Sequence, residues 1–246
     1  MDPLKTRLRS GERLLGALLR LPAEDLVEML AVSGFDFVVI DCEHGPHEVT
    51  DLRRHIALAD VHRVPVIVRV GSDEPALVLR ALDQGAAGII APHIDTPAQA
   101  EALVDAVHYP PLGHRGFATY TRVGGFGTVD PAEHQARMLE ETLVVGMIES
   151  PDGVQRTPEI VRVPGLDAVM IGTADLRASS TREDPAPAQS VRAVNDALAD
   201  RGTWRMDIVG SRAAAAAAFS DGAQLVVYNL AASLMTHLAE LRTARP

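Results

Sequence analysis

Short apolar runs alternate with amphipathic segments along almost the whole chain, and this alternation constrains the fold more than any other feature. Strands that alternate with helices form parallel sheets, and continuously apolar strands are covered on both faces. Eight such units in 246 residues favour one closed (β/α)8 barrel. The predicted strands are residues 14–18, 37–40, 64–70, 88–91, 143–148, 168–171, 204–209 and 225–227.

Nine amphipathic segments between and after these runs are predicted helices. They cover residues 23–32, 49–59, 74–84, 97–107, 131–140, 153–161, 188–200, 212–220 and 230–243. No composition change marks a boundary, so residues 1–246 are predicted to form a single domain. Two longer connections, 109–129 and 177–187, are expected to be functional or mobile loops.

A doubly wound open sheet is the alternative architecture. Such sheets usually carry a phosphate-binding glycine fingerprint directly after a strand. The glycine-rich segment 124–127 follows no predicted strand and lacks the third glycine of that fingerprint. We therefore interpret it as a flexible loop and prefer the barrel.

Charge and composition exclude several classes of protein. The net charge is −10, and no basic stripe is present that could meet nucleic acid phosphates. Cys42 is the only cysteine, which excludes a disulfide within the chain and favours a cytoplasmic protein. We interpret Cys42 as a small core residue rather than a nucleophile. The sequence contains neither a signal peptide pattern nor an apolar run long enough to cross a bilayer.

Ionisable residues follow four of the predicted strands. Asp41 and His44 follow the second strand, Arg69 ends the third, and Glu149 and Asp175 follow the fifth and sixth. Barrel enzymes place their chemistry at the carboxyl ends of the strands. A single charge there is often only solvated, but four such strand ends at one barrel mouth predict an active site.

Glu149 and Asp175 form the predicted metal site. Hard divalent cations such as Mg²⁺ and Mn²⁺ prefer oxygen ligands, and they often use only one or two protein carboxylates. A 2-oxo acid and water can fill the remaining positions. The alternative is that both carboxylates cap the amino termini of helices.

His44 is the predicted general base, with Asp41 or another acid to orient it. Arg69 shares a strand face with Ile67, and its cation could hold a carboxylate or stabilise an enolate. The alternatives are a surface loop histidine for His44 and, for Arg69, a structural ion pair with Asp83 or another acid.

The lysine content distinguishes between the two common mechanisms of aldolases. One mechanism forms a Schiff base on lysine, and the other polarises the ketone with a metal ion. Lys5 is the only lysine and lies upstream of every predicted strand. The sequence therefore favours the metal-dependent route.

The chain resembles the HpcH/HpaI aldolases, the class II pyruvate aldolases that include 4-hydroxy-2-oxoheptanedioate aldolase and 2-dehydro-3-deoxyglucarate aldolase. The matching segments, in order, are GFDFVVIDCEHGPHE, VPVIVRV, LDQGAAGIIAPHIDTPAQAE, YPPLGHRGFA, MIESPDG and DAVMIGTADLRAS. The resemblance implies a (β/α)8 barrel of the phosphoenolpyruvate/pyruvate superfamily type. It also implies homo-oligomers, often hexamers, that exchange a C-terminal helix, here about 230–243.

The same resemblance implies an activity and assigns roles to individual residues. The activity is reversible cleavage of a 4-hydroxy-2-oxo acid to pyruvate and an aldehyde with Mg²⁺, Mn²⁺ or Co²⁺. The implied roles are proton acceptor for His44, an acid that raises its basicity for Asp83, transition-state stabiliser for Arg69, metal ligands for Glu149 and Asp175, and a backbone contact to substrate for Ala174.

Two substitutions at substrate-binding positions depart from the family pattern. Met147 stands where the family often has glutamine, and Thr173 stands where proline is usual. These departures leave two alternatives open. The same barrel and metal could catalyse another carbon–carbon lyase, decarboxylase or isomerase reaction on a 2-oxo or β-hydroxy acid, or the chain could be an inactive metabolite-binding relative.

Overall fold

The computed structural model describes residues 2–244, and within them eight parallel strands form a closed barrel in sequence order. Pairing between the first and last strands completes the closure. The strands are β1 (Leu14–Leu19), β2 (Phe37–Asp41), β3 (Val66–Arg69), β4 (Gly88–Ala91), β5 (Leu143–Ile148), β6 (Ala168–Ile171), β7 (Trp204–Val209) and β8 (Leu225–Asn229). The predicted barrel is confirmed, although β3 is shorter than predicted.

Eleven α-helices lie within the described residues, and the nine predicted ones agree to within two residues at each end. They are α1 (Leu4–Arg9), α2 (Glu24–Val32), α3 (Val49–Val61), α4 (Pro75–Gln84), α5 (Pro97–Val107), α6 (Pro131–Glu141), α7 (Pro151–Ile160), α8 (Thr173–Ser179), α9 (Pro187–Arg201), α10 (Arg212–Ser220) and α11 (Leu230–Arg242). The short helices α1 and α8 were not predicted. A 3₁₀ turn at Gly125–Gly127 lies in the loop before α6.

Alternation along the strands separates two layers of the core. Ile67 of β3 packs inside the barrel with Phe37 and Val39, whereas Val66 and Val68 pack outward against the helices. Because side chains alternate along a strand, Arg69 follows Ile67 onto the inner face. This arrangement confirms the predicted strand face and places a cation at the inner rim of the barrel.

Helix α1 closes the amino-terminal end of the barrel. Leu4 and Leu8 join the interior cluster, and Lys5 is buried beside them. The Lys5 Nζ lies 2.9 Å from Oδ1 of Asp167, which directly precedes β6. The single lysine is therefore at the end of the barrel opposite the carboxyl ends of the strands.

Helix α11 packs loosely against β1 and β8 and buries none of its residues. Its exposed apolar side chains include Met235, Leu238 and Leu241, each more than half exposed. Within residues 2–244, no helix combines the length and the apolar character that spanning a membrane requires.

Candidate active site

A buried ion pair between Asp41 and Arg69 joins the carboxyl ends of β2 and β3. The two residues are register partners in the sheet. Arg69 donates from Nε to Oδ1 at 2.9 Å and from Nη2 to Oδ2 at 2.5 Å. Arg20 at the end of β1 donates from Nε to Oδ2 at 2.8 Å. Arg69 thus forms the ion pair that the sequence analysis gave as its alternative, an ion pair with Asp83 or another acid, and the acid is Asp41 and not Asp83.

The electrostatics of this pair favour two charged side chains. Burial alone would raise the pKa of Asp41, but the hydrogen bonds and charge of Arg69, with the hydrogen bond of Arg20, bring it below its usual range. Burial alone would lower the pKa of Arg69, and the hydrogen bond and charge of Asp41 raise it instead. Arg69 is therefore a fixed cation at the barrel mouth.

The turn after β2 places His44. Oδ1 of Asp41 accepts hydrogen bonds from the backbone N–H groups of Glu43 and His44, both at 3.2 Å. The turn is tight at Gly45, where an added Cβ would overlap the carbonyl oxygen of Asp41. The His44 side chain is 54% exposed, so its imidazole is open to a ligand in the mouth.

Glu43 adds a carboxylate that the sequence analysis did not single out. Its Oε2 lies 3.3 Å from Nη1 of Arg69 and has no hydrogen-bond partner among the described residues. Its Oε1 lies 3.9 Å from Nε2 of His44. The signal available in the sequence was its position immediately before the predicted base.

Glu149 is a buried carboxylate at the end of β5, only 3% exposed. Its Oε1 accepts a hydrogen bond from the backbone N–H of His93 at 2.7 Å, and the His93 ring Nδ1 lies 3.2 Å from the same oxygen. Its Oε2 lies so close to Gly172 that a Cβ there would overlap it. Burial raises the pKa of Glu149, and the charges of Asp175 and Glu43 raise it further.

Asp175 lies in the first turn of α8 and is exposed. The alternative that Glu149 and Asp175 are helix caps is wrong. Ser150 caps α7 by accepting from the N–H of Gly153 at 3.0 Å, and Gly172 precedes α8 without any side-chain cap. Both carboxylates are therefore free of capping hydrogen bonds.

The donor set at this end of the barrel fits a hard divalent cation. Burial, together with the charges of Asp175 and Glu43, disfavours the charged form of Glu149, and a cation bound between these carboxylates would offset that effect. Within residues 2–244, no group of three or more His, Cys, Asp or Glu side chains could hold a metal ion by itself. A cation here would therefore depend on two carboxylates together with water and substrate oxygens, as is common for Mg²⁺.

The predicted substrate-binding positions surround this cluster. Met147 projects into the barrel, where its Sδ lies 3.9 Å from Nη1 of Arg69. Thr173 and Ala174 begin α8, with Thr173 partly exposed and Ala174 exposed. All three positions are thus on the same side of the barrel as the carboxylates.

Asp83 is placed away from His44 within the chain. It lies near the end of α4, which returns to the amino-terminal side of the barrel, and its Oδ1 accepts from Nη2 of Arg115 at 2.7 Å. The chain therefore does not bring Asp83 to the imidazole that it was expected to activate. Its role stays a prediction.

Comparison with known proteins decides the family. Residues 16–233 match the family model described as HpcH/HpaI aldolase/citrate lyase. The chain belongs to this family. A pyruvate aldolase from Rhizobium etli is 33% identical over 215 residues, which is 87% of this chain and 82% of that protein. A 2-keto-3-deoxy-L-rhamnonate aldolase from Escherichia coli is 35% identical over 78% of this chain and 72% of that protein.

The solved structures support the same assignment. The crystal structure of an HpcH/HpaI aldolase/citrate lyase family protein from Burkholderia cenocepacia matches with a TM-score of 0.90 and 30% identity, covering 99% of both chains. The resemblance drawn from the sequence segments is thereby confirmed. As a member of the HpcH/HpaI family with aldolase relatives, the chain is a carbon–carbon lyase of the aldolase type, and class II aldolases of this family generally depend on a divalent metal ion.

His93 is, like Glu43, a mouth residue that the sequence analysis did not single out. It follows β4, and its φ of 53° lies in the left-handed region. It also lines a groove of about 1190 Å³ between α4 and α5. The only available sequence signal was a histidine just past a strand end, in the run APHID. The HpcH/HpaI resemblance assigned no role to this position.

Cys42 is half-buried beside the outer core layer. Burial raises the pKa of its thiol to about 12, and nearby carboxylates including Asp41 add to the rise. Because the thiolate is the reactive form, this environment agrees with a packing role and not with a nucleophile.

Proposed function

We propose that the protein reversibly cleaves a 4-hydroxy-2-oxo acid to pyruvate, or a related 2-oxo acid, and an aldehyde. Glu149 and Asp175 would hold the required divalent cation. The observation that carries the proposal is the buried carboxylate of Glu149, whose pKa is raised by burial and by the charges of Asp175 and Glu43. It lies at the same end of the barrel as the fixed cation of Arg69 and opposite the single lysine.

The cation would supply Lewis-acid polarisation of the keto oxygen and neutralise the carboxylates that hold it. Mg²⁺, Mn²⁺ and Co²⁺ all suit this oxygen-rich donor set. The preference among them is part of what the experiment below would establish.

Arg69 would bind the negative charge that develops on the substrate. Its orientation is fixed by two hydrogen bonds to Asp41, so its position needs little reorganisation when charge appears. Nη1 takes no part in these two bonds and lies near Met147. We propose that Nη1 contacts the carboxylate or the enolate oxygen of the pyruvate part of the substrate.

His44 would accept the proton of the C4 hydroxyl. An imidazole is well suited to this task at neutral pH, and the turn held by Asp41 keeps His44 at the mouth. As the proton leaves, the C3–C4 bond breaks and the aldehyde departs. The electron pair of that bond stays with C3 and forms the enolate. The proton held by His44, delivered directly or through water, then adds to C3, which gives pyruvate and restores the base. Thr173, Ala174 and Met147 would line the space around the substrate.

We also propose that the protein forms a homo-oligomer, such as a hexamer, through α11. The exposed side chains of Met235, Leu238 and Leu241 support this proposal because a single chain leaves them uncovered. Light scattering should show an assembly larger than one chain, and Leu238→Glu should reduce its mass. A monomer at micromolar concentration would contradict this part of the proposal.

The activity can be tested by coupling pyruvate release to lactate dehydrogenase across a panel of 4-hydroxy-2-oxo acids. Turnover should require Mg²⁺, Mn²⁺ or Co²⁺, stop with EDTA, and fall by at least about 100-fold in His44→Asn. The matched control is His114→Asn, because the His114 side chain is 84% exposed and pairs with Asp105 near the end of α5, which returns to the amino-terminal side of the barrel. This control should retain activity.

Product analysis separates the aldolase from its alternatives. Mass spectrometry should find an aldehyde and a 2-oxo acid in equal amounts. Release of CO₂, or an isomer of unchanged mass, would instead identify a decarboxylase or isomerase. Absence of turnover in either direction across a broad aldehyde panel would contradict the proposed reaction.

A further inference from the structure

His93 contacts one oxygen of Glu149 with two of its own groups. Its backbone N–H donates to Oε1 at 2.7 Å, and its ring Nδ1 lies 3.2 Å from the same atom. Residues other than glycine seldom adopt its φ of 53°, and Asn, Asp and His are the main exceptions. The left-handed conformation brings the backbone N–H and the ring Nδ1 of one residue within 3.2 Å of a single carboxylate oxygen, and of these two groups only the backbone N–H donates a hydrogen bond to it.

The other oxygen of Glu149 is in different surroundings. Oε2 lies against Gly172, the residue that precedes α8, and α8 carries Asp175 in its first turn. No described residue donates a hydrogen bond to Oε2. With Oε1 held by His93, the carboxylate presents Oε2 on the side from which Asp175 could share a cation.

We propose that His93 is a positioning residue that holds Oε1 of Glu149 so that Oε2 faces the divalent cation shared with Asp175. This inference rests on the proposed function, because it requires a cation at Glu149. The ring acts through the carboxylate and not as a ligand of its own, since its Nδ1 lies at ion-pair distance, 3.2 Å, from Oε1.

The expected loss of metal affinity on removing the His93 imidazole follows from the behaviour of other metal sites. Residues that orient a metal ligand typically contribute 10- to 100-fold to metal affinity, as an order of magnitude. In this chain the backbone N–H of His93 remains in every variant. Removing the imidazole therefore tests only the part of the restraint that the side chain provides.

The backbone conformation makes a matched set of variants available. His93→Gly removes the side chain without straining the left-handed backbone. His93→Asn tolerates the same φ and places its amide nitrogen close to the position of Nδ1. His93→Ala removes the side chain and also strains the backbone, so a comparison with His93→Gly separates strain from loss of the contact.

The measurement is the dissociation constant of Mn²⁺ for the intact protein, by calorimetry and by electron paramagnetic resonance of free Mn²⁺. His93→Gly should bind Mn²⁺ about 10- to 100-fold more weakly than wild type, and His93→Asn should recover most of this loss. Equal affinity of wild type and His93→Gly would overturn the proposal. A directly coordinated ¹⁴N in pulsed resonance of the wild type, absent in His93→Gly, would also overturn it by making the ring a ligand.

Two further measurements distinguish failure of this inference from failure of the proposed function. If wild type binds no Mn²⁺, both proposals fail together. If wild type binds Mn²⁺ and Glu149→Gln does not, the metal site stands, and the comparison among the His93 variants alone decides the role of the imidazole.

Discussion

The carboxylate of Asp41 and the guanidinium of Arg69 form a two-point ion pair, with Nε–Oδ1 at 2.9 Å and Nη2–Oδ2 at 2.5 Å. Asp41 is fully buried and Arg69 is 4% exposed. Removing one member of such a pair leaves the other charge without compensation in a poorly solvated site. The pair also supports the turn that carries His44, so stability and catalysis depend on the same contact.

Asp41→Ala should lower the free energy of unfolding by about 3–5 kcal/mol, because Arg69 loses its fully buried, two-point counter-ion and keeps only the single ion-pair contact of Nη1 with Glu43. Urea denaturation measures this loss. The control is Asp60→Ala, since Asp60 pairs with Arg122 but is half exposed, and it should cost no more than about 1 kcal/mol. Equal costs in the two variants would contradict the argument.

The pair also predicts an acid dependence. The pKa of Asp41 is lowered in the folded protein, so its contribution to stability is present above the ordinary carboxyl pKa of 3.8. That contribution is lost as the pH falls through the lowered value. In Asp41→Ala this part of the acid destabilisation should be absent.

Glu149→Gln should make the metal-free protein at least as stable as wild type at neutral pH. The pKa of Glu149 is raised in the folded state, so its charge destabilises the protein once the pH exceeds that value. In EDTA the variant should therefore match or exceed the wild-type Tm. An increase of about 2–4 °C would correspond to about 1 kcal/mol.

Added Mn²⁺ should reverse this order. At 100 times the dissociation constant, a ligand that binds only the folded state adds about 2.7 kcal/mol to wild type, whereas Glu149→Gln should gain much less. Glu159→Gln is the matched control, because Glu159 is an exposed residue of α7. Equal Mn²⁺ stabilisation of wild type and Glu149→Gln would contradict the assignment of this ligand.

His108 should make stability depend on pH well above the carboxyl range. Burial, with the charges of Lys5 and Arg115, lowers its pKa to about 4. The unfolded chain takes up the proton near pH 6.5, so stability falls as the pH drops between these two values. Between pH 7 and pH 5, the difference between the folded and unfolded pKa values lowers the free energy of unfolding by about 2 kcal/mol.

His108→Leu should reduce the difference between the unfolding free energies at pH 7 and pH 5 by about that amount. The comparison uses a difference within each variant, so any change in packing largely cancels. His237→Leu, at a residue whose side chain is 65% exposed, should leave the difference unchanged. An unchanged difference in His108→Leu would show that the folded protein also protonates this site.

Lys5 should be dispensable for the chemistry. Its Nζ pairs with Asp167 at the end of the barrel opposite the mouth, so it cannot form a Schiff base with a substrate there. Lys5→Arg should retain kcat, whereas Lys5→Met should lose about 3 kcal/mol of stability by leaving Asp167 buried and unpaired. Borohydride should not inactivate wild type in the presence of pyruvate, and pyruvate-dependent inactivation would contradict the metal-dependent route.

The barrel was predictable because periodicity and length act over long stretches of sequence. The two helices that were not predicted, α1 and α8, are short and depend on tertiary contacts. No side chain caps α1, and it is held by the burial of Leu4 and Leu8. Helix α8 also lacks a side-chain cap and begins two residues after β6 ends. Neither helix has the capping side chain that most clearly marks a helix start, and Pro3 before α1 and Asp175 in the first turn of α8 are weak signals on their own.

The site was predictable to the extent that it follows strand ends. Asp41, Arg69 and Glu149 each terminate or directly follow a strand, so their common location follows from topology. The contact between His93 and Glu149 depends on a positive φ, which the sequence does not reveal. The location of Asp83 beside Arg115 depends on the path of the loop before α6, which has no periodic pattern.

Gly172 sets a limit on how this site can diversify. Any side chain at this position would overlap Oε2 of Glu149, so a library randomised across residues 172–174 should return glycine alone at the first position. Thr173 and Ala174 are at least partly open to solvent and can vary. New substrate preferences should therefore be obtainable from the two neighbouring positions without disturbing the carboxylate on which they border.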